Sequence, residues 1–488
     1  MKKLIAFVIA AVVGWRVGAA VEGLKVGFSR VDITPPYGVF MPGYYVDRQV
    51  KGILDPLEIN IIAFSDGVQT ALVAQVDTEA LSDMVADLMR DAIVKATGID
   101  RNAILLHASH THAGGHLAYG QKAGASSVGR GEDAIGKLYV DMSVTHAADA
   151  AVLAIGDLKP ARLSCGRGVA RRITFGRRYL MKSGKVQTNP GTNNPDIVRP
   201  VGNPPDEQVQ VLRIDRERAK PVCLINFQCH PDVVGGESAT ADWPGLTRQV
   251  FEAATFGGAL CVVINGAEGD LNHCNVMPRP GELNGLKRDF DAVDRGYDHA
   301  RHMANVLASA ALSVWMKCVP LESGAVRFDV ENVRVPAQKA KESDKKNLTW
   351  ANEIWSLHQA GKDADISKRY GYYAMELTTE LARARRIRNM AEHDDFHDVP
   401  LMTVSIGHVV AFCGFPGEPF NDIGKRIKEK SPFDVSFLLC LTNGSRGYFP
   451  FSDSFKEGGY EAATSPFGPT VADDLIAGEL RLLNRLYE

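Results

Sequence analysis

Six short runs of aliphatic and β-branched residues punctuate this chain, and each stops abruptly at a polar side chain. TALVAQVD ends at Asp77, AILLHASH at His110, VCLINFQCH at His230, LCVVINGAEGD at Asp270, HVVAFCGFPGE at Glu418 and SFLLCLTNG at Asn443. Apolar runs of this length without alternation predict strands buried on both faces. The stretches between them, such as 83–98 and 297–315, carry helical spacing. Together they predict an α/β fold: a layered domain of buried β-sheets flanked by helices. Ligands of such sheets collect outside the carboxyl ends of the strands. The polar tips should therefore face one crevice.

The bulk numbers narrow the function. A chain of 488 residues with 45% hydrophobic content can bury a sizeable core. A formal net charge of −3 gives no electrostatic case for nucleic acid or an anionic membrane surface. No glycine-rich phosphate loop is present. Lys2 and Lys3, the apolar segment Leu4 to Trp15, and the small residues Gly18 to Ala20 predict an export signal over 1–20. The mature chain, 21–488, is then periplasmic or secreted, with no transmembrane anchor. The eight cysteines show no CxxC spacing and read as mostly buried thiols, with room for one or two disulfides. Charged, helix-prone sequence over 335–398 predicts a helical insertion within the domain. It either packs on the α/β body or shields its edge.

AILLHASHTHAGGH holds four of the 13 histidines. His110 and His112 alternate, so on an extended backbone they point the same way. That suits two nitrogen donors, or one ligand beside an acid/base. With His116 they resemble the start of a binuclear HxHxDH site, but the Asp is missing, and no eightfold βα pattern supports a barrel. His107 lies inside the apolar run and reads as structural. His230 sits at a strand end stopped by Pro231. Glu418, held in a Pro-Gly turn, needs a cation or hydrogen-bond donors to offset its desolvation. Its alternative role is a carboxylate at a helix N-terminus. Tyr448 and Tyr460 fall in a glycine-rich, poorly periodic segment that reads as loop. Arg177 and Arg178 could present a donor fork to a carboxylate, oxyanion or sugar hydroxyls.

These motifs, taken in order, resemble the catalytic domain of the neutral/alkaline non-lysosomal ceramidases. The matching segments are FSRVDITPPYGVFMPGY, ASHTHAGG, NFQCHPD, ATADWPG, NGAEGDLN, GFPGE and YEAATSPFGP. The resemblance implies a zinc amidase. It assigns zinc ligation to His110, His230, Glu418 and Tyr448, an acid/base role to His112, and carbonyl or oxyanion binding to Tyr460 and Arg177. Two departures modify that expectation. The catalytic serine of the family is replaced by Asn272, and the following proline by His273. The β-domain that follows the family's catalytic domain also has no counterpart after the last helix.

Asn cannot serve as a deprotonated nucleophile. A zinc-activated water, with Asp270, His273 or His112 as base, is then the expected attacker on an amide or ester. The expected substrate is a small-molecule, lipid or glycan compound, polar and sugar-containing or N-acylated, contacted by Asn272, Trp243 and Arg178. The alternatives are a zinc-assisted glycoside hydrolase, a true N-acylsphingosine amidase, and a catalytically silent zinc-site binding protein.

Overall fold

All six runs form strands in the computed structural model, which describes residues 23–119, 134–280, 296–322, 324–390 and 395–488. The expected export signal over 1–20 lies outside the described residues. One large sheet contains β1 (Lys25–Asp32), β2 (Glu58–Ser65), β3 (Thr70–Val76), β4 (Ile104–Ala108), β5 (Lys159–Val169), β6 (Gln208–Arg216), β7 (Val222–Phe227) and β8 (Leu260–Asn265). Its spatial order is β8-β7-β6-β5-β1-β2-β3-β4, with the short strand Val319–Pro320 pairing off β5. A second sheet runs β9 (Val326–Pro336), β10 (Phe396–Ile406), β11 (Val410–Gly414), β12 (Val435–Leu439). The described strands close no barrel. Most neighbours are antiparallel. The pairs β3/β4, β7/β8 and β11/β12 are parallel, so their carboxyl ends lie side by side.

Continuous apolar sequence in the strands is explained by layering. In β2, Ile62 and Phe64 face the second sheet, where Phe64 meets Phe412 at 5.5 Å between ring centroids. The intervening Ile61 and Ala63 face α1 (Asp83–Thr97) and α2 (Ala134–Gly156). Over β6, β7 and β8 the same outer layer is α3 (Asp242–Ala254) and α4 (Tyr297–Trp315). The second sheet covers its far face with α8 (Asn421–Lys430) and α11 (Val471–Tyr487). The result is a helix–sheet–sheet–helix sandwich. Helix α2 has the length and apolarity of a membrane span, but it turns Tyr139, Val140, Ala147 and Ala151 into the core.

Between β9 and β10, which pair from Val326↔Ile406 to Pro336↔Phe396, stand α5 (Leu348–Gln359), α6 (Asp363–Tyr370) and α7 (Ala374–Arg388). They share a small core of Ala351, Ile354, Leu377, Leu381 and Ile387. The segment read as loop after Tyr448 instead folds α9 (Ser452–Glu457) and α10 (Tyr460–Thr464). Gly458 and Gly459, both at positive φ (79° and 98°), break it between them and hide the helical spacing. All eight cysteines are unpaired.

Glu479 on α11 is fully buried and accepts a 2.6 Å hydrogen bond from the Thr403 hydroxyl. Burial pushes its carboxyl from 4.5 up to about 7. A raised folded-state pKa gives stability that is complete below about pH 4.5 and lost as pH rises through about 7. Glu479→Gln keeps the acceptor for Thr403 without the charge. It should match the wild type at pH 4.5 and exceed it by roughly 2–3 kcal/mol at pH 8, measured by urea denaturation.

Candidate active site

The tips of the strands converge where the parallel pairs end. His107, fully buried on β4, fixes this convergence. Its Nδ1–H donates to the Cys440 carbonyl (2.6 Å) beyond β12, and its Nε2 accepts from the Asn265 amide (2.9 Å) at the end of β8. One neutral imidazole thus joins both edges of the large sheet to the second sheet. Burial lowers its pKa to about 4, which keeps it neutral.

Two residues beyond β4, His110 adopts a left-handed backbone (φ 72°), a strained conformation for a non-glycine residue. The strain is held by its amide, which donates to the Thr78 carbonyl (2.9 Å), and by Nδ1–H, which donates to the Glu79 carbonyl (2.7 Å). His230, after β7, donates Nδ1–H to the Glu268 carbonyl (3.0 Å). With both Nδ1 atoms committed as donors, the Nε2 lone pairs are left to face inward. They meet Glu418, which follows β11. Its Oε2 lies 3.2 Å from His230 Nε2 and 3.6 Å from His110 Nε2. His112 Nε2 is 3.3 Å from His110 Nε2.

This donor set fits a metal ion. Ligand atoms held 2.0–2.1 Å from a tetrahedral zinc are about 3.3 Å from one another. The observed separations of 3.2–3.6 Å are that edge length. His230 Nε2 and Glu418 Oε2 are both buried, and neither has a hydrogen-bond partner. Such atoms are costly unless something meets them. Burial pulls His110 down to about 4 and His230 to about 3, so both are neutral at pH 7, the form a metal needs. The same burial pushes Glu418 upward, toward protonation, in the absence of a cation. The Glu268 carboxylate is fully buried within the same cluster, 3.2 Å from His230 Nδ1.

The cluster floors a cavity of about 280 Å³. Tyr448 is placed beside Glu418 by a two-residue parallel pairing, Glu418↔Tyr448, and lines the wall with Tyr460. Arg177, also in the wall, donates Nε to Glu461 (2.8 Å) and Nη2 to the Gly269 carbonyl (2.8 Å). Burial opposes its charge, but Tyr448, Glu461 and Glu418 outweigh that and hold it firmly protonated. His112 completes this group. It packs so tightly on Gly43 that a Cβ there would lie 2.5 Å from its ring.

Other expected site residues lie elsewhere. Trp243 is fully buried in the apolar core, edge-on to Phe227 at 5.9 Å, and does not line the cavity. Helix α3 turns its ring inward onto Phe227. Arg178 anchors the Ser452–Gly458 segment through Ser454 and the Gly458 carbonyl. Asn272, fully buried, donates to Asn189 Oδ1 (2.7 Å). Asp270 accepts from the Asn421 amide (2.7 Å), and His273 Nδ1 bonds Asp232 (2.9 Å). Of these partners, Asp232 lines the cavity and links His273 to it.

Five residues that no sequence pattern singles out also belong here: Glu79, Asp232, Tyr44 and Tyr45 line the cavity, and Glu268 backs His230. Asp232 and Glu268 stand inside the quoted motifs FQCHPD and NGAEGDLN, next to residues already singled out. Burial and the neighbouring Glu418 push the Glu79 carboxyl up to about 7. Met375 and Thr378 of α7 also line the cavity.

Two solved structures share this fold. One is the neutral ceramidase from Pseudomonas aeruginosa, with a TM-score of 0.66 and 16% identity over 95% of this chain and 75% of that one. The other is a ceramidase complexed with C2, at TM-score 0.65 and 15% identity with the same coverage. No protein-family model and no curated protein matches the chain. The chain has a ceramidase-like fold.

Proposed function

We propose that this protein is a zinc-dependent hydrolase that cleaves an amide of a polar N-acyl compound rather than ceramide, acting outside the cytoplasm. The observation that carries this reading is the meeting of two neutral imidazoles and one carboxylate at tetrahedral spacing, with His230 Nε2 and Glu418 Oε2 left unbonded. The ceramidase-like fold supports it. His110, His230 and Glu418 would hold the metal, with Tyr448 as a weak fourth ligand. Bound zinc would lower the pKa of a water and polarise the scissile carbonyl.

The chain's own groups complete the chemistry. His112, neutral and with Nε2 aimed into the cluster, takes a proton there and later returns it to the leaving nitrogen. Arg177, fixed by Glu461 and the Gly269 carbonyl, stabilises negative charge developing on the carbonyl oxygen, and Tyr460 donates to the same oxygen. Asn272 faces Asn189 and offers no nucleophile, which argues against the serine-dependent route.

His112 Nε2 is as near to His110 as the other donors are, which supports a three-imidazole reading as well. Metal analysis with a product screen decides between them. We expect about one equivalent of zinc in the purified protein. Less than roughly half an equivalent, with no uptake on addition, would overturn the metal reading. His112→Ala should keep the zinc and lose turnover if His112 carries protons, and should lose both if it is a ligand. Mass spectrometry of a panel of N-acyl amino sugars, N-acyl amino acids and N-acylsphingosines identifies the bond cleaved.

A further inference from the structure

A second cavity, of about 520 Å³, adjoins the metal-site cavity and shares Tyr45, Met375 and Tyr460 with it. Its floor is the hairpin of Arg178–Met181 and Val186–Thr188, and its roof is the first turns of α7. The size falls within the roughly 300–1,000 Å³ of small-molecule sites.

The two walls differ in chemistry. The hairpin wall presents the Lys185 ammonium and the Gln187 and Asn189 amides, and the α7 wall presents Glu376, Thr379 and Glu380. Among the described residues, the Lys185 ammonium and the Glu376 carboxylate make no ion pair and no hydrogen bond. Asn189 is more informative. Its Oδ1 accepts from Asn272, while its Nδ2 is buried and has no partner. A buried donor left unpaired costs about 1–3 kcal/mol, so this atom is set for an acceptor that arrives with a ligand. The rings of Tyr45 and Tyr460, edge to face at 6.3 Å, stand where the cavity meets the metal site.

An alkyl chain laid here would strip water from Lys185, Glu376 and the amides and replace none of their hydrogen bonds. Hydroxyl groups both donate and accept, so a polyhydroxylated ring can satisfy both walls at once. We propose that this cavity is the subsite for a carbohydrate moiety of the substrate, with Lys185, Asn189 and Glu376 bonding its hydroxyls directly. The proposal names the substrate class for the hydrolase reading above and rests on it for what happens at the neighbouring metal site. Saccharide binding itself does not depend on the metal.

The test is ligand-observed NMR and calorimetry with N-acetylglucosamine and its di- and trisaccharide, on the full protein. Lys185→Ala and Glu376→Ala are compared with wild type and with His110→Ala. Both positions are exposed, and circular dichroism confirms that the variants fold. We expect binding by wild type and by His110→Ala, weakened about tenfold in each subsite variant, the change that about 1.4 kcal/mol of lost hydrogen bonding produces. Absence of binding at millimolar saccharide would overturn the subsite, as would binding indifferent to both substitutions. So would a short-chain N-acylsphingosine that binds wild type and is lost in both variants. Saccharide binding with no hydrolysis of any N-acyl compound would leave the subsite standing and overturn the hydrolase reading alone.

Discussion

Glu418→Ala is expected to abolish zinc retention and to lower turnover by at least about a thousandfold, roughly 4 kcal/mol of transition-state stabilisation. Losing a group that only supports a metal ligand already costs 10–100-fold, so losing the carboxylate that faces both Nε2 atoms should cost more. Loss of activity alone would not establish this, because a misfolded variant is also inactive. Stability separates the two cases. Burial disfavours the charged form of Glu418, so removing it should leave the metal-free protein as stable as wild type or slightly more so. Zinc at a thousandfold excess over its Kd should stabilise the wild type by about 4 kcal/mol. The same addition should do nothing for the variant. A Glu418→Ala protein that binds one zinc with wild-type affinity would show that the carboxylate is not a ligand.

The architecture was legible because burial on both faces writes itself directly into sequence. Val222–Phe227 and Leu260–Asn265 carry no alternation because helices cover one face and a second sheet the other. Helix α1 was bounded by its own chemistry, with Ser82 capping the Val85 amide and Gly98 closing the end in a left-handed conformation. His110, His112, His230 and Glu418 could be picked out because a strand tip is a local feature.

What the sequence hid depends on direction and distance. The Asp and Pro flanking Trp243 suggest an exposed loop, and nothing local says that α3 rolls its indole onto Phe227. Glu79 lies just past Asp77, where the apolar run has already ended. Met375 and Thr378 belong to a charged helical stretch, and only the remote pairing of β9 with β10 carries it to the cavity. Asp77 itself was visible as the polar end of a run, but its partner Arg248 is 171 residues away.

That pair carries the second large effect. Asp77 and Arg248 are both buried, with Oδ2 accepting from Nη2 at 2.5 Å and Oδ1 from Nη1 at 3.2 Å. Asp77 also accepts from the Glu58 amide (3.0 Å) and the Gln75 side chain (2.6 Å), so it ties α3 to β2 and β3. Asp77→Ala leaves the guanidinium buried with fewer acceptors, a class of change that costs 3–5 kcal/mol. Glu58 still faces Arg248 at 3.2 Å, so about 3 kcal/mol is the expected loss. In urea this should appear as a lower midpoint with an unchanged slope. Asp77→Ala combined with Arg248→Met removes the stranded charge and should recover part of that loss. The consequence extends to the site, because the chain leaving Asp77 supplies the Thr78 and Glu79 carbonyls that hold His110 in its strained conformation. Folded Asp77→Ala protein should therefore bind zinc about 10–100-fold more weakly, the range for lost support behind a ligand. Wild-type zinc affinity in a destabilised Asp77→Ala protein would show that His110 is positioned independently of this ion pair.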